Sequence, residues 1–220
     1  MSLKTVSIVG TAGRKGGWKK MSKELYEMMY NKAKVIITQH FGLELSQVHL
    51  VSGGAAWADH VAVSLYVAGE VGGLTLHLPT RLCTEGEAPQ FYDSGSKDWK
   101  ANPGRTANKL HKEFSKKLSE DTMKHLSDAA YLGAEICVHS GFHDRNSHVA
   151  TSDYLLAFTW GSGDVPMEGG TMDTWKKCRG RKYHVPLESF GVSPRKRKRQ
   201  TDIRDSTLRG KPKKLKTKEA

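Results

Sequence analysis

Residues Val48-His49-Leu50-Val51-Ser52-Gly53-Gly54-Ala55-Ala56-Trp57-Ala58-Asp59 decide how this chain is read. A short apolar run reads as a buried strand, two glycines break it, and an alanine-rich segment follows. The spacing of Trp57, Val61, Leu65 and Ala68 predicts a helix over Ala55 to Ala68 with one apolar face. Strand, glycines and helix start in that order form an anion cradle. Glycine lets the backbone approach a phosphate, and the free N–H groups of the first helical turn point at it.

The pattern recurs. Tyr154 to Phe158 is an apolar run, and Glu168-Gly169-Gly170-Thr171-Met172-Asp173-Thr174-Trp175 follows it. Lys4 to Val9 reads as a first strand, with the glycine- and base-rich loop Gly10 to Gly17 directly after it. Between these landmarks, Ser22 is placed to cap a helix carrying Leu25, Met28, Met29, Ala33 and Ile36. Leu74 to Leu78 reads as a strand ended by Pro79. Residues 84–105 read as a polar loop, and 107–134 as helix broken near Ser119. Glu135 to Val138 is a short strand, Ser147 to Ser152 a short helix, Thr171 to Cys178 a helix and Tyr183 to Val185 a last strand. Strands alternating with helices predict an α/β, Rossmann-like domain with a mainly parallel sheet flanked by helices. Such sheets bind ligands at the carboxyl ends of their strands. The loops after Val9, Val51 and Phe158 all lie there.

Composition narrows the function classes. No stretch of about 18 apolar residues exists, so no membrane span or membrane partner is expected. Met1-Ser2-Leu3-Lys4 carries no signal-peptide pattern, which favours a cytoplasmic or nuclear protein. Cys83, Cys137 and Cys178 are too widely spaced for a disulfide framework or a zinc site. His139, His143 and His148 lie near one another but form no H-E-x-x-H, so they read as structural, and neither metal nor cofactor is expected. Net charge is +12, of which +9 falls in residues 193–220. The remaining +3 makes the folded part only mildly basic. The tail holds five consecutive bases, Arg195-Lys196-Arg197-Lys198-Arg199, the pattern of a nuclear-localisation signal read by an import receptor or of a nucleic-acid tether. Its few apolar residues cannot form a core, so 191–220 is expected to be a disordered basic tail beyond a domain spanning 1–190.

The motifs G-T-A-G-R, V-S-G-G-A-A-W-A-D, D-R-N-S-H-V-A-T-S-D-Y-L-L-A-F and G-G-T-M-D-T-W, in this order, resemble the SLOG superfamily, in particular its YspA-like members. That group also holds the Lonely Guy phosphoribohydrolases and DNA-processing protein A. The resemblance spans about residues 4–187, with a helical insertion at about 83–134. It implies a Rossmann-like domain that binds a nucleotide or a nucleotide-derived phosphate ligand. Gly10, Gly53, Gly54, Gly169, Gly170 and Thr171 would line the site, and Arg145 and Asn146 match the superfamily's R-N pair. Two departures stand out. Thr174 occupies the place of the catalytic Glu of the Lonely Guy enzymes, and Trp57 replaces a glycine, which would put a bulky ring near the site.

From the residues themselves, Arg14 is placed to clamp a phosphate, and Asp59 either to hold a ribose hydroxyl or to meet a helix dipole. Trp57, Trp160 and Trp175 are candidates for stacking on a base or for core packing. The leading expectation is a protein that senses or processes a nucleotide-derived ligand. The alternatives are a DNA-associated protein that binds through its tail, and an N-glycosidase of nucleoside monophosphates.

Overall fold

The computed structural model describes residues 3–14, 17–85, 88–167 and 169–191. Six strands form one parallel sheet: β1 (Lys4–Gly10), β2 (Val48–Ser52), β3 (Gly73–Leu78), β6 (Glu135–Val138), β7 (Tyr154–Thr159) and β8 (Arg181–Pro186). Their order is β6-β3-β2-β1-β7-β8. Two-residue strands β4 (Leu82–Cys83) and β5 (Gln90–Phe91) pair separately and antiparallel. The helices are α1 (Lys23–Val35), α2 (His60–Val67), α3 (Pro103–Leu118), α4 (Thr122–Tyr131), α5 (Phe142–Val149) and α6 (Gly169–Lys177). The fold is Rossmann-like α/β.

β7 reads as a continuous apolar run, and Ile8-Val9 of β1 and Leu50-Val51 of β2 read likewise, because both sheet faces are covered there. Successive side chains alternate between two cores. Val6, Ile8, Leu50, Leu156 and Phe158 join one cluster with residues of α1 to α4. Val9, Val51, Leu155 and Ala157 join another with Val149 of α5 and Cys178 just after α6. α1 to α4 therefore pack on one face of the sheet, and α5 and α6 on the other. The strand order reverses between β1 and β7, and a crevice opens at their carboxyl ends.

Ser22 caps α1 as expected, its hydroxyl accepting from the Leu25 N–H at 3.2 Å. The break at Ser119 is a left-handed residue, φ +59°, that ends α3. The expected insertion is not peripheral, since Phe114 and Leu126 share the main core with the sheet. Three boundaries differ from the sequence expectation. α2 begins at His60, not Ala55, because Gly54 and Trp57 both adopt positive φ and hold the segment as turns. α5 covers 142–149, not 147–152, because Gly141 at φ +88° turns the chain out of β6 and starts the helix at once. Within the expected polar loop of 84–105 lie β5 and the start of α3. That helix begins at Pro103, with the Asn102 side chain accepting from the Arg105 N–H.

Among the described residues no helix is long and apolar enough to cross a membrane. The three cysteines are free. The basic tail from residue 192 onward, with its candidate localisation signal Arg195 to Arg199, lies outside the described residues.

Candidate functional site

A cleft of about 380 Å³ sits at the β1/β7 reversal. Gly10, Thr11, Ala12 and Arg14 line it from the end of β1, and Gly169, Gly170, Thr171 and Thr174 from α6. Phe142, Arg145, Asn146 and Val149 of α5 line it too, with Ala55 and Asp59 from the segment before α2. Eight residues named from sequence thus converge: Gly10, Arg14, Asp59, Arg145, Asn146, Gly169, Gly170 and Thr171.

The glycines have separate reasons. A Cβ on Gly10 would press on the Phe158 carbonyl and lie 2.7 Å from the Ala58 Cβ, so only glycine lets β1 pass so close to β7. Its N–H donates to Asp59 Oδ1 at 3.1 Å, and its carbonyl accepts from the Thr171 hydroxyl at 3.0 Å. Gly10 thereby ties the pre-α2 segment to the start of α6. Gly169 has φ +82° and opens α6, whose first-turn N–H groups end at the cleft.

Gly53 and Gly54 are placed differently from a phosphate cradle. Both are buried behind the cleft wall. Gly53 leaves room for the Arg145 guanidinium, which would overlap any Cβ there, and its carbonyl accepts from Arg145 Nη1 at 2.5 Å. Gly54 accepts at its carbonyl from buried His111 Nε2 at 3.0 Å. These glycines carry their neighbours rather than a ligand.

Arg145 is the central charge. Its side chain is 12% exposed. Nε donates to Asn146 Oδ1 at 3.2 Å, and Nη1 reaches Asp59 Oδ2 at 3.5 Å. Among the described residues, Nη2 has no hydrogen-bond partner, although a guanidinium carries five donors. Arg14 adds a second guanidinium, 4.5 Å above the Phe142 ring, and Arg145 lies 5.7 Å from the same ring. Burial lowers the Arg145 pKa, and burial together with the Arg145 charge lowers that of Arg14. Burial pushes the Asp59 carboxyl up, opposed by Arg145, by the N–H groups of Gly10 and Ala55, and by Arg14. Two guanidinium groups against one carboxylate leave the cleft positive. The Asp59 side chain makes no cap bond to α2 and turns into the cleft instead.

Asn146 is buried, and its Nδ2 faces the Gly170 carbonyl at 3.4 Å and Asp173 Oδ2 at 3.5 Å. Asp173 pairs with Lys177 at 2.9 Å, and Thr174, not an acid, faces the cleft. The Trp57 ring does not approach the cleft. It is fully buried, 4.4 Å from Phe114 and 6.5 Å from Tyr26. Trp160 and Trp175 pack against the two cores. Sequence reading missed Phe142, the apolar platform under both arginines. It was hidden because the expected helix began at Ser147, five residues beyond the observed start of α5 at Phe142.

The chain is similar to the uncharacterized protein R261 of Acanthamoeba polyphaga mimivirus, with 35% identity over 189 residues that cover 84% of this chain and 97% of that protein. No protein-family model matches the chain, and no solved structure matches it.

Proposed function

The chain belongs to one family with that mimivirus protein, and we propose that it binds a nucleotide or a nucleotide-derived phosphate ligand in the β1/β7 cleft. One observation carries the reading: the guanidinium groups of Arg145 and Arg14 converge on a cleft at the strand-order reversal, opposite the first turn of α6. Arginine forks match phosphate oxygens, and a helix N-terminus favours the same charge. The volume of about 380 Å³ lies near the lower end of small-molecule sites, roughly 300–1,000 Å³, and suits a mononucleotide. Phe142 offers an apolar face and Asp59 an acceptor for hydroxyl groups. The motif order that resembles the SLOG superfamily supports the same ligand class. Thr174 at the position of the Lonely Guy acid favours binding over glycosidic cleavage.

The test is thermal stabilisation by a panel of nucleoside mono-, di- and triphosphates. A true ligand at 100-fold excess over its Kd stabilises by about 2.7 kcal/mol. Arg14→Ala removes a charge from the cleft without touching the core. Gly170→Val places a Cβ 3.2 Å from Asn146 Nδ2 and crowds the helix entrance. Both variants should fold and lose the stabilisation, and removal of residues 193–220 should leave it intact. Stabilisation that survives both substitutions but vanishes with the tail would overturn the proposal in favour of electrostatic binding by the tail.

A further inference from the structure

Outside the cleft lining, α5 presents a second group of side chains. Asp144 and His148 are one turn apart and share a face, and His139 follows the end of β6. Asp144 Oδ2 lies 3.7 Å from His139 Nδ1, and Asp144 Oδ1 lies 3.7 Å from His148 Nε2. The three ligand atoms all fall within 4.8 Å of one another. His77, on β3, completes the group: its Nδ1 meets His139 Nε2 at 2.9 Å. The rings of His139 and His148 stack at 4.2 Å, and those of His77 and His148 at 5.5 Å.

Three imidazoles crowded together have no packing advantage over apolar residues. They do have a coordination chemistry. We infer that His139, His148 and Asp144 form a binding site for a divalent transition cation of the zinc type, with His77 orienting His139 from behind.

The ligand set is two imidazoles and one carboxylate, which suits zinc, cobalt or nickel rather than calcium or magnesium. Bonds of about 2.0–2.1 Å in a tetrahedron put neighbouring donor atoms about 3.3 Å apart. The observed 3.7 Å separations close to that by small side-chain rotations. Those rotations are open to Asp144 and His148, whose side chains are 48% and 51% exposed, whereas His139 is held at 11%. The outer contacts are in place. Asp144 Oδ2 accepts from the Ser140 N–H at 3.1 Å. His139 Nε2–H can donate to His77 Nδ1, leaving Nδ1 of His139 free to ligate, which is how outer-shell partners fix a ligand tautomer. The site does not depend on nucleotide binding, because none of these four residues lines the cleft.

The test uses the full chain without a histidine tag, stripped with EDTA and titrated with cobalt(II). Cobalt reports tetrahedral coordination by its visible absorption, and zinc competes for the same site. The expected result is one tight equivalent. Asp144→Asn and His148→Ala, both at exposed positions, should weaken it by more than the roughly 10–100-fold expected of His77→Ala, an outer-shell loss. Absence of a stoichiometric equivalent in the full chain overturns the inference. Unchanged affinity in His148→Ala does so equally, because it would place the metal on other groups.

Discussion

Acid should unfold this protein through His111, and the size of the effect follows from its surroundings. His111 on α3 is fully buried. Its Nε2–H donates to the Gly54 carbonyl at 3.0 Å, so its Nδ1 must accept from the Thr122 hydroxyl at 2.9 Å. Protonation would set an N–H against that hydroxyl and leave a charge in the core. Burial accordingly lowers its pKa to about 4 from an ordinary 6.5. The folded state thus binds fewer protons than the unfolded chain at pH values between those two. Stability is present in full above about pH 6.5 and falls as pH drops toward 4. For this one group the loss is about 2 kcal/mol between pH 7 and 5, and about 3 kcal/mol by pH 4. His60 adds in the same direction: burial, then His111 and His125, hold it well below its ordinary value, and its Nδ1 is buried without a partner among the described residues. Urea denaturation at a series of pH values measures the slope. His111→Gln keeps an N–H for Gly54 but cannot titrate, so its curve should lose about 2 kcal/mol of the drop between pH 7 and 5. Parallel curves for the two proteins would refute the reasoning.

Trp57 holds φ +68°, where a β-carbon is strained, yet its ring fills the core beside Phe114. Trp57→Ala should cost about 3–5 kcal/mol in denaturant unfolding. Trp57→Gly should be less destabilised than Trp57→Ala by about 1 kcal/mol, the reverse of the usual order, because it relieves the left-handed strain. An alanine variant that proves the more stable would contradict this. A fluorescent reporter fused to residues 193–220 should accumulate in eukaryotic nuclei, driven by Arg195 to Arg199. A cytoplasmic reporter would count against an import signal.

The sequence by itself determined the strands, their two-sided burial and the convergence at the β1/β7 end. Ile8-Val9, Leu50-Val51 and Leu155 to Phe158 are apolar at consecutive positions, which suits only a strand covered on both faces, and glycines mark where such strands stop. Arg14, Asp59, Arg145 and Asn146 were also legible, because charged or amide groups beside those stops have few other uses. Tertiary structure decided the rest. Gly53 and Gly54 read as a cradle, yet Arg145 and His111 arrive from residues 92 and 57 positions away to occupy their carbonyls. Trp57 read as a ring at the site, and a single positive φ sent it into the core. His77 and His139 stand 62 residues apart in the chain and 2.9 Å apart in space. Local patterns carry backbone form, because periodicity and turn chemistry act over a few residues. Which side chains share a site is set by the order in which parallel strands are laid down, and no short stretch of sequence contains that order.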